Sequence, residues 1–321
     1  MFWNFFKSEC YRASKLKSAY ILPAILLVVV LLVSFVLIRI DMYGLMGMSR
    51  EDVDRISQEG SSAEGISDSF RMGFDAGIQA GEGMYYSEED EELELEEVEE
   101  KTPVSIIGEG IFYTEDVPEL FYQNVGTLVT ILLLAIFTGI FFGDVYSTGI
   151  TKNLTIANNR RSLLYGARLL VLACYTFLFH IFTLISVIIS AALMAESVKL
   201  NFDRSFILYF LISWLMTFAF CLIVAAITTV TKSKAAGITV GVILASGFLT
   251  LAISIANLIL VRLLDLEEGF DISRFMITEN LVVINLHTDG SDVLRAIIVS
   301  IIYGAAAALI GNAINRRRDL N

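Results

Sequence analysis

The stretch GDVYSTGITKNLTIANNRR (143–161) decides the architecture of this chain, because it separates two long runs of apolar residues. It is too long for a tight turn and too short for a domain. It carries a lysine at position 152 and an arginine pair at positions 160 and 161. The meaning of this polar segment therefore depends on what the apolar runs on either side of it are.

Six stretches of the 321-residue chain contain no Asp, Glu, Lys or Arg. They are 21, 24, 27, 27, 27 and 20 residues long and cover 18–38, 120–143, 169–195, 205–231, 235–261 and 296–315. A helix needs about 20 apolar residues to cross a hydrocarbon core of about 30 Å. Backbone groups in lipid must be satisfied within the segment, which favours helices over strands. We predict an all-α integral membrane protein with six transmembrane helices, at 19–40, 120–143, 165–195, 205–231, 235–261 and 294–315.

Basic residues follow an alternating pattern between these predicted helices. They lie before the first helix, between the second and third, between the fourth and fifth, and after the sixth, as Lys7, Arg12, Lys15, Lys17, Lys152, Arg160, Arg161, Lys232, Lys234, Arg316, Arg317 and Arg318. Cytoplasmic connections are enriched in Lys and Arg. The pattern predicts that both termini and the segment 143–162 are cytoplasmic.

The acidity of the chain is concentrated in one predicted extracytoplasmic insertion, residues 41–118. This insertion holds 22 acidic and four basic residues, a net charge of −18, whereas the whole chain has a net charge of −12. A negative net charge of this size attracts cationic molecules. A second predicted extracytoplasmic segment, 262–292, joins the fifth and sixth helices.

Signatures of enzymes are missing from the sequence. There is no GxxxxGK[ST], GxSxG or HExxH pattern, and the chain has only two histidines. The sequence therefore predicts no enzyme and no cofactor or metal on this chain. No carboxylate or lysine lies within a predicted span, which argues against an ion-coupled carrier.

Small polar residues recur at steps of three and four within three predicted helices. Candidate path-lining residues are His180, Thr183, Ser190, Ser213, Thr217, Ser246 and Thr250. Such residues also hold helices together by hydrogen bonds. Helix–helix contact is the favoured interpretation for most of them, and a transport path is the alternative.

The segment FFGDVYSTGITKNLTIANNRRSLLYGARLL resembles the type-two ABC export permeases, in which an acidic residue, a glycine and basic residues recur after the second span. The matching residues are Asp144, Gly149, Lys152, Asn153, Leu154, Arg161 and Arg168. The N-terminal stretch KSECYRASKLKSAY is also similar to the first helix of that family. Two positions depart from the common pattern, with Asp in place of Glu at 144 and Arg in place of Lys at 168.

The resemblance implies that residues 143–162 form a cytoplasmic coupling helix seated in an ATP-binding subunit. The contact residues would be Asp144, Gly149, Ile150, Lys152, Asn153, Leu154, Arg160 and Arg161. The plainer alternative is an ordinary basic connection. ATP and Mg²⁺ would bind the partner subunit, and a second permease chain, identical or different, would complete the path.

The implied function is the permease subunit of an ATP-driven exporter in a bacterial plasma membrane. The acidic insertion favours a peptide or an amphipathic, cationic compound as cargo, and no nucleic-acid partner is expected. The alternative function is a non-transporting membrane receptor or immunity protein that binds a cationic peptide through residues 41–118.

Overall fold

The computed structural model describes residues 2–39, 116–147, 161–194, 198–248, 253, 255, 257, 272–286, 288 and 290–317. Within them the regular structure is helical, which confirms the all-α prediction for this part of the chain. The helices are α1 (Phe2–Lys15), α2 (Ser18–Arg39), α3 (Val117–Gly126), α4 (Val129–Ser147), α5 (Arg161–Met194), α6 (Arg204–Thr231), α7 (Lys234–Ala245), α8 (Ile277–Val283) and α9 (Gly290–Arg317). A single 3₁₀ turn of this part, Ile272–Phe275, precedes α8.

Five helices in the described part are long and apolar enough to cross a membrane: α2, α4, α5, α6 and α9. Helix α7 has 12 residues, which gives a length of about 18 Å. That length is shorter than a hydrocarbon core of about 30 Å. The prediction of six spans is therefore not confirmed, whereas a multi-pass membrane protein is.

The predicted second span, 120–143, is not one continuous helix. Helix α3 ends at Gly126, and α4 begins at Val129 after a break at which Leu128 has φ 59°. Polar side chains precede the break and bind the backbone, since Asn124 donates to the Leu120 carbonyl and the Thr127 hydroxyl donates to the Asn124 carbonyl. Such bonds compete with regular helix formation.

The predicted fifth span, 235–261, is also interrupted. Helix α7 ends at Ala245, Ser246 caps it, and Gly247 has φ 73°. Glycine adopts this left-handed conformation without the penalty that a Cβ atom brings, which is why it commonly ends helices. The single described residues 253, 255 and 257 are helical. Thr250 lies outside the described residues.

Close packing of α4 against α7 depends on glycine at two positions of α4. A Cβ atom on Gly139 would lie 2.7 Å from Ile238 Cγ1, and one on Gly143 would lie 2.6 Å from Lys234 Cα. The two glycines are four residues apart and face a helix that runs in the opposite direction. This small-xxx-small spacing lets two backbones approach closely.

The bundle has two ends, and its helices fix which residues meet at each. We call the base the end at which α4, α6 and α9 finish and α5 and α7 begin. At the opposite end lie α3, α8 and the start of α6. There, the backbone of Asp116 forms an isolated parallel bridge with Lys199, and the Val117 N–H donates to the Lys199 carbonyl at 3.0 Å. Of the insertion 41–118, residues 41–115 lie outside the described residues.

Candidate coupling site at the base of the bundle

The predicted coupling segment is described only at its two flanks. Residues 143–147 continue α4 and residues 161 and 162 open α5, so the segment joins these two helices directly. Asp144 and Arg161 are therefore among the described residues. The other predicted contact residues lie outside the described residues: Gly149, Ile150, Lys152, Asn153, Leu154 and Arg160.

The first flank is tied to α7 by an ion pair. The Asp144 carboxylate lies 3.1 Å from Lys234 Nζ, with 23% of the Asp144 side chain and 38% of the Lys234 side chain exposed. Pairs this exposed contribute about 0.2–1 kcal/mol. The ion pair helps to orient α4 relative to α7, whose backbones already approach closely at Gly143. The end of α4 is thus held against the beginning of α7.

The second flank is tied to the last helix of the chain. The side-chain amide of Asn315 donates to the Arg161 carbonyl at 3.2 Å, which joins the end of α9 to the first residue of α5. One turn further into α5, the Tyr165 side chain lies against Gly311, where a Cβ atom would overlap its ring and hydroxyl. The start of α5 is therefore fixed by α9.

A third attachment is a buried ion cluster that joins α1 to both flanking helices. The Glu9 carboxylate accepts from Arg12 Nε at 2.7 Å and from Arg168 Nε of α5 at 3.1 Å. Arg12 also donates to the Phe141 carbonyl of α4 at 2.9 Å, and its guanidinium lies 4.3 Å from the centre of the Phe141 ring. The Glu9 and Arg168 side chains are 2% and 3% exposed. We call Glu9, Arg12, Arg168 and Phe141 the Glu9 cluster.

Burial sets the energetics of the Glu9 cluster. Desolvation lowers the pKa of the Arg12 guanidinium, and the Glu9 carboxylate opposes this by favouring the charged form. One carboxylate contacts two guanidinium groups, so its loss would remove from both buried cations the anion that contacts them. Breaking such a buried pair typically costs about 3–5 kcal/mol. The cluster therefore fixes α1 where α4 leaves the bundle and α5 enters it.

The described members of the predicted path-lining set form hydrogen bonds at several places in the bundle. His180 and Ser213 meet between α5 and α6, with His180 Nε2 3.4 Å from the Ser213 hydroxyl. Ser190 instead donates to the Ser34 hydroxyl of α2 at 2.9 Å. Thr183 donates to its own helix at the Phe179 carbonyl, and Ser246 does the same at the Ile243 carbonyl.

Thr217 is fully buried on α6, and its hydroxyl has no hydrogen-bond partner among the described residues. The arrangement of these polar residues fits helix–helix contacts at several places.

Residues 109–247 match the family model described as ABC-2 family transporter protein. The match supports an ABC-2 type permease. No curated protein matches the chain. The matched range covers less than half of the chain and contains α3 to α7, including Asp144, Arg161, Arg168 and the whole coupling segment. An ABC-2 permease is the transmembrane subunit of an ABC transporter and typically lacks an ATPase site of its own.

Several residues that fix the base of the bundle were not predicted as site residues. Glu9 is the only acidic residue among the first 40, and its isolation among basic residues is a signal that could have identified it. The spacing of Gly139 and Gly143 carried a second signal. Asn315 binds the Arg161 carbonyl, and the Phe141 carbonyl accepts from Arg12. No sequence pattern indicates hydrogen bonds of this kind to backbone carbonyls.

Proposed function

We propose that this chain is the permease subunit of an ATP-driven exporter and that residues 143–162 couple it to a separate ATP-binding subunit. The observation that carries the proposal is the attachment of both flanks of the coupling segment to the bundle. Asp144 is paired with Lys234, Arg161 is bound by Asn315, and the Glu9 cluster joins α1 to both α4 and α5. A force applied to residues 148–160 would therefore reach five helices.

The chemistry of the segment supports the same proposal. Lys152, Arg160 and Arg161 supply positive charge for acidic groups of a partner, and Ile150 and Leu154 supply a small apolar contact. Complementary charges at a rim mainly set the association rate and the partner. ATP and Mg²⁺ bind the partner subunit in this proposal. The membrane is a bacterial plasma membrane, with both termini in the cytoplasm and 41–118 and 262–292 outside.

The cargo proposed is a peptide or an amphipathic, cationic compound, drawn to the net charge of −18 in residues 41–118. Two permease chains enclose the path, either two copies of this chain or this chain and a different one. The cargo proposal can be tested by measuring export at different salt concentrations, because attraction between exposed charges is screened beyond about 8 Å at physiological ionic strength. Export of basic peptides should fall when residues 87–100 are deleted, and most strongly in low salt.

The experiment that tests the coupling proposal is purification of the tagged full-length chain from its native membranes, followed by identification of bound ATP-binding proteins. We expect an ATP-binding subunit to co-purify with the unaltered chain and to be lost from the double variant Lys152→Glu, Arg161→Glu. The matched control is Arg204→Glu, a charge reversal at an exposed residue at the opposite end of the bundle.

A chain that purifies without an ATP-binding subunit from membranes that contain its operon products would contradict the proposal. That result would favour the non-transporting receptor or immunity protein. Retention of the subunit by the double variant would place the coupling contact elsewhere on the chain.

A further inference from the structure

Helix α3 lies at the end of the bundle opposite the base and is buried on almost every side, although it has only 10 residues. Its buried residues are Val117, Pro118, Leu120, Phe121, Tyr122, Gln123, Asn124 and Val125. It packs against α4, α5 and α8. At its start it is held to the segment before α6 by the Asp116–Lys199 bridge and by the Asn201 amide, which donates to the Asp116 carboxylate at 3.2 Å.

The Phe121 ring of α3 contacts aromatic side chains of both α5 and α6. It contacts Phe206 and Phe210 with ring centres 5.6 Å away in both cases, Tyr209 at 6.3 Å and His180 at 6.2 Å. His180 is fully buried, and its Nδ1 has no hydrogen-bond partner among the described residues. Phe121 thus covers a buried polar group that pairs with Ser213.

Glu119 is the chemically unusual residue of this helix. It lies in the first turn of α3 and, within the described residues, forms no ion pair. Its side chain forms a hydrogen bond with the side chain of Gln123, one turn later, and Asp116 adds a second negative charge nearby. Desolvation, together with Asp116, raises the pKa of the Glu119 carboxyl to about 7, and the bond from Gln123 opposes the shift. Deprotonation leaves an uncompensated charge in the contact between α3 and the bundle.

The junction between α3 and α4 has the geometry of a hinge. Leu128 has φ 59°, a left-handed conformation that a residue with a Cβ atom adopts at an energetic cost. Its N–H donates to the Val125 carbonyl at 3.1 Å, and the next helix begins one residue later. A change of conformation at this residue would turn α3 relative to α4 without breaking either helix.

We propose that α3 is a hinged lid over the aromatic cluster between α5 and α6 and that proton binding to the Glu119 carboxyl holds this lid closed. The proton neutralises a half-buried carboxylate that forms no ion pair with any described residue. Loss of the proton favours rotation at Leu128, which withdraws Phe121 and exposes His180 and Ser213. The proposal goes beyond the coupling function and does not depend on it.

The elements around α3 carry other titratable and charged groups. Among the described residues they are Asp116 and Tyr122 beside Glu119, Lys199 and Asp203 before α6, Arg204 and Tyr209 in α6, His180 on α5 and Glu279 on α8. Tyr209 lies within electrostatic range of Glu119, and its buried hydroxyl has no hydrogen-bond partner among the described residues. A proton on Glu119 removes the repulsion between its carboxylate and that of Asp116.

The sign of the pH dependence follows from the raised pKa. An undocked Glu119 has the ordinary pKa of 4.5, and a docked one has a pKa of about 7. Closure is therefore strongest below about pH 4.5 and weakens as the pH rises to about 7. The equilibrium constant for closure should fall about fifty-fold between pH 5 and pH 7.5.

The test is hydrogen exchange of the backbone amides of residues 117–126 in the purified full-length chain, at pH 5 and pH 7.5, corrected for the intrinsic pH dependence of exchange. We expect protection of these amides to fall by about fifty-fold at the higher pH, while that of α6 stays constant. In Glu119→Gln, which keeps the shape of the neutral carboxyl, protection should change by less than about twofold.

Two results would overturn the proposal. One is equal protection of residues 117–126 at both pH values in the unaltered chain, which needs no variant to be stable. The other is an equal loss of protection in Glu119→Gln, which would assign the titration to a different group.

Discussion

Removal of the Glu9 carboxylate is the perturbation whose size the structure defines best. In Glu9→Gln the side chain keeps its volume, but Arg12 and Arg168 lose the anion that lies 2.6 Å and 3.1 Å from their nitrogens. The Glu9 and Arg168 side chains are almost fully buried, so solvent compensates little of this loss. Removing one partner of a buried pair costs about 3–5 kcal/mol. We expect a loss of unfolding free energy in this range.

The assay is reversible denaturant unfolding of the purified chain in detergent, with hydrogen exchange of residues 2–15 as a local readout. The matched control is Asp292→Asn, because Asp292 pairs with Arg295 at 2.7 Å but both side chains are about one quarter to one third exposed. That variant should lose about 0–1 kcal/mol. A loss in Glu9→Gln no larger than in Asp292→Asn would refute the reasoning, because it would mean that the cluster is solvated.

Four further variants test packing, capping and a helix–helix hydrogen bond. Gly139→Leu should destabilise the chain by about 1–3 kcal/mol or more, because its Cβ would lie 2.7 Å from Ile238. In the control Gly126→Ala, the added Cβ meets no atom within 4 Å, so this variant should stabilise α3 slightly. The melting temperatures of the two variants are compared with that of the unaltered chain. Asp203→Ala removes the carboxylate that accepts from the Phe206 N–H at 2.8 Å and should cost about 0.5–2 kcal/mol in denaturant unfolding; no change would mean that α6 needs no cap. Ser190→Ala removes the hydrogen bond to Ser34 and should lower the free energy of unfolding by about 0.6 kcal/mol, and by at most about 1.7 kcal/mol. A larger loss in the same assay would contradict a role limited to the contact between α2 and α5.

The long apolar helices were predictable because lipid imposes a length and excludes charge. The charge-free runs at 18–38, 169–195, 205–231 and 296–315 all correspond to single helices, α2, α5, α6 and α9. Helix α5 begins earlier than its apolar run, at Arg161, because charged residues remain helical once the chain has left the hydrocarbon core.

Interruptions of apolar runs were not predictable from charge alone. The run 120–143 contains no charged residue, yet it is divided at Thr127 and Leu128. Gln123, Asn124 and Thr127 were the available signal, because side chains of this kind bind nearby backbone groups. The turn at Ser246 and Gly247 carried a weaker signal, since glycine is common within membrane helices.

The candidate site was predictable only in part. The resemblance identified Asp144, Arg161 and Arg168, which lie at or near the base of the bundle. Their partners come from distant parts of the chain: Lys234 for Asp144, Asn315 for Arg161 and Glu9 for Arg168. Pairings over such separations depend on how the helices pack, and one sequence does not specify that packing.

The most direct test of the central claim is side-specific labelling of a cysteine placed at position 152, in a chain whose Cys10, Cys174 and Cys221 are replaced by serine. A membrane-impermeant maleimide should leave Lys152→Cys unlabelled in intact cells and label it after permeabilisation, and the bound ATP-binding subunit should slow that labelling. Labelling in intact cells, or labelling that the ATP-binding subunit does not change, would contradict a coupling role for residues 143–162.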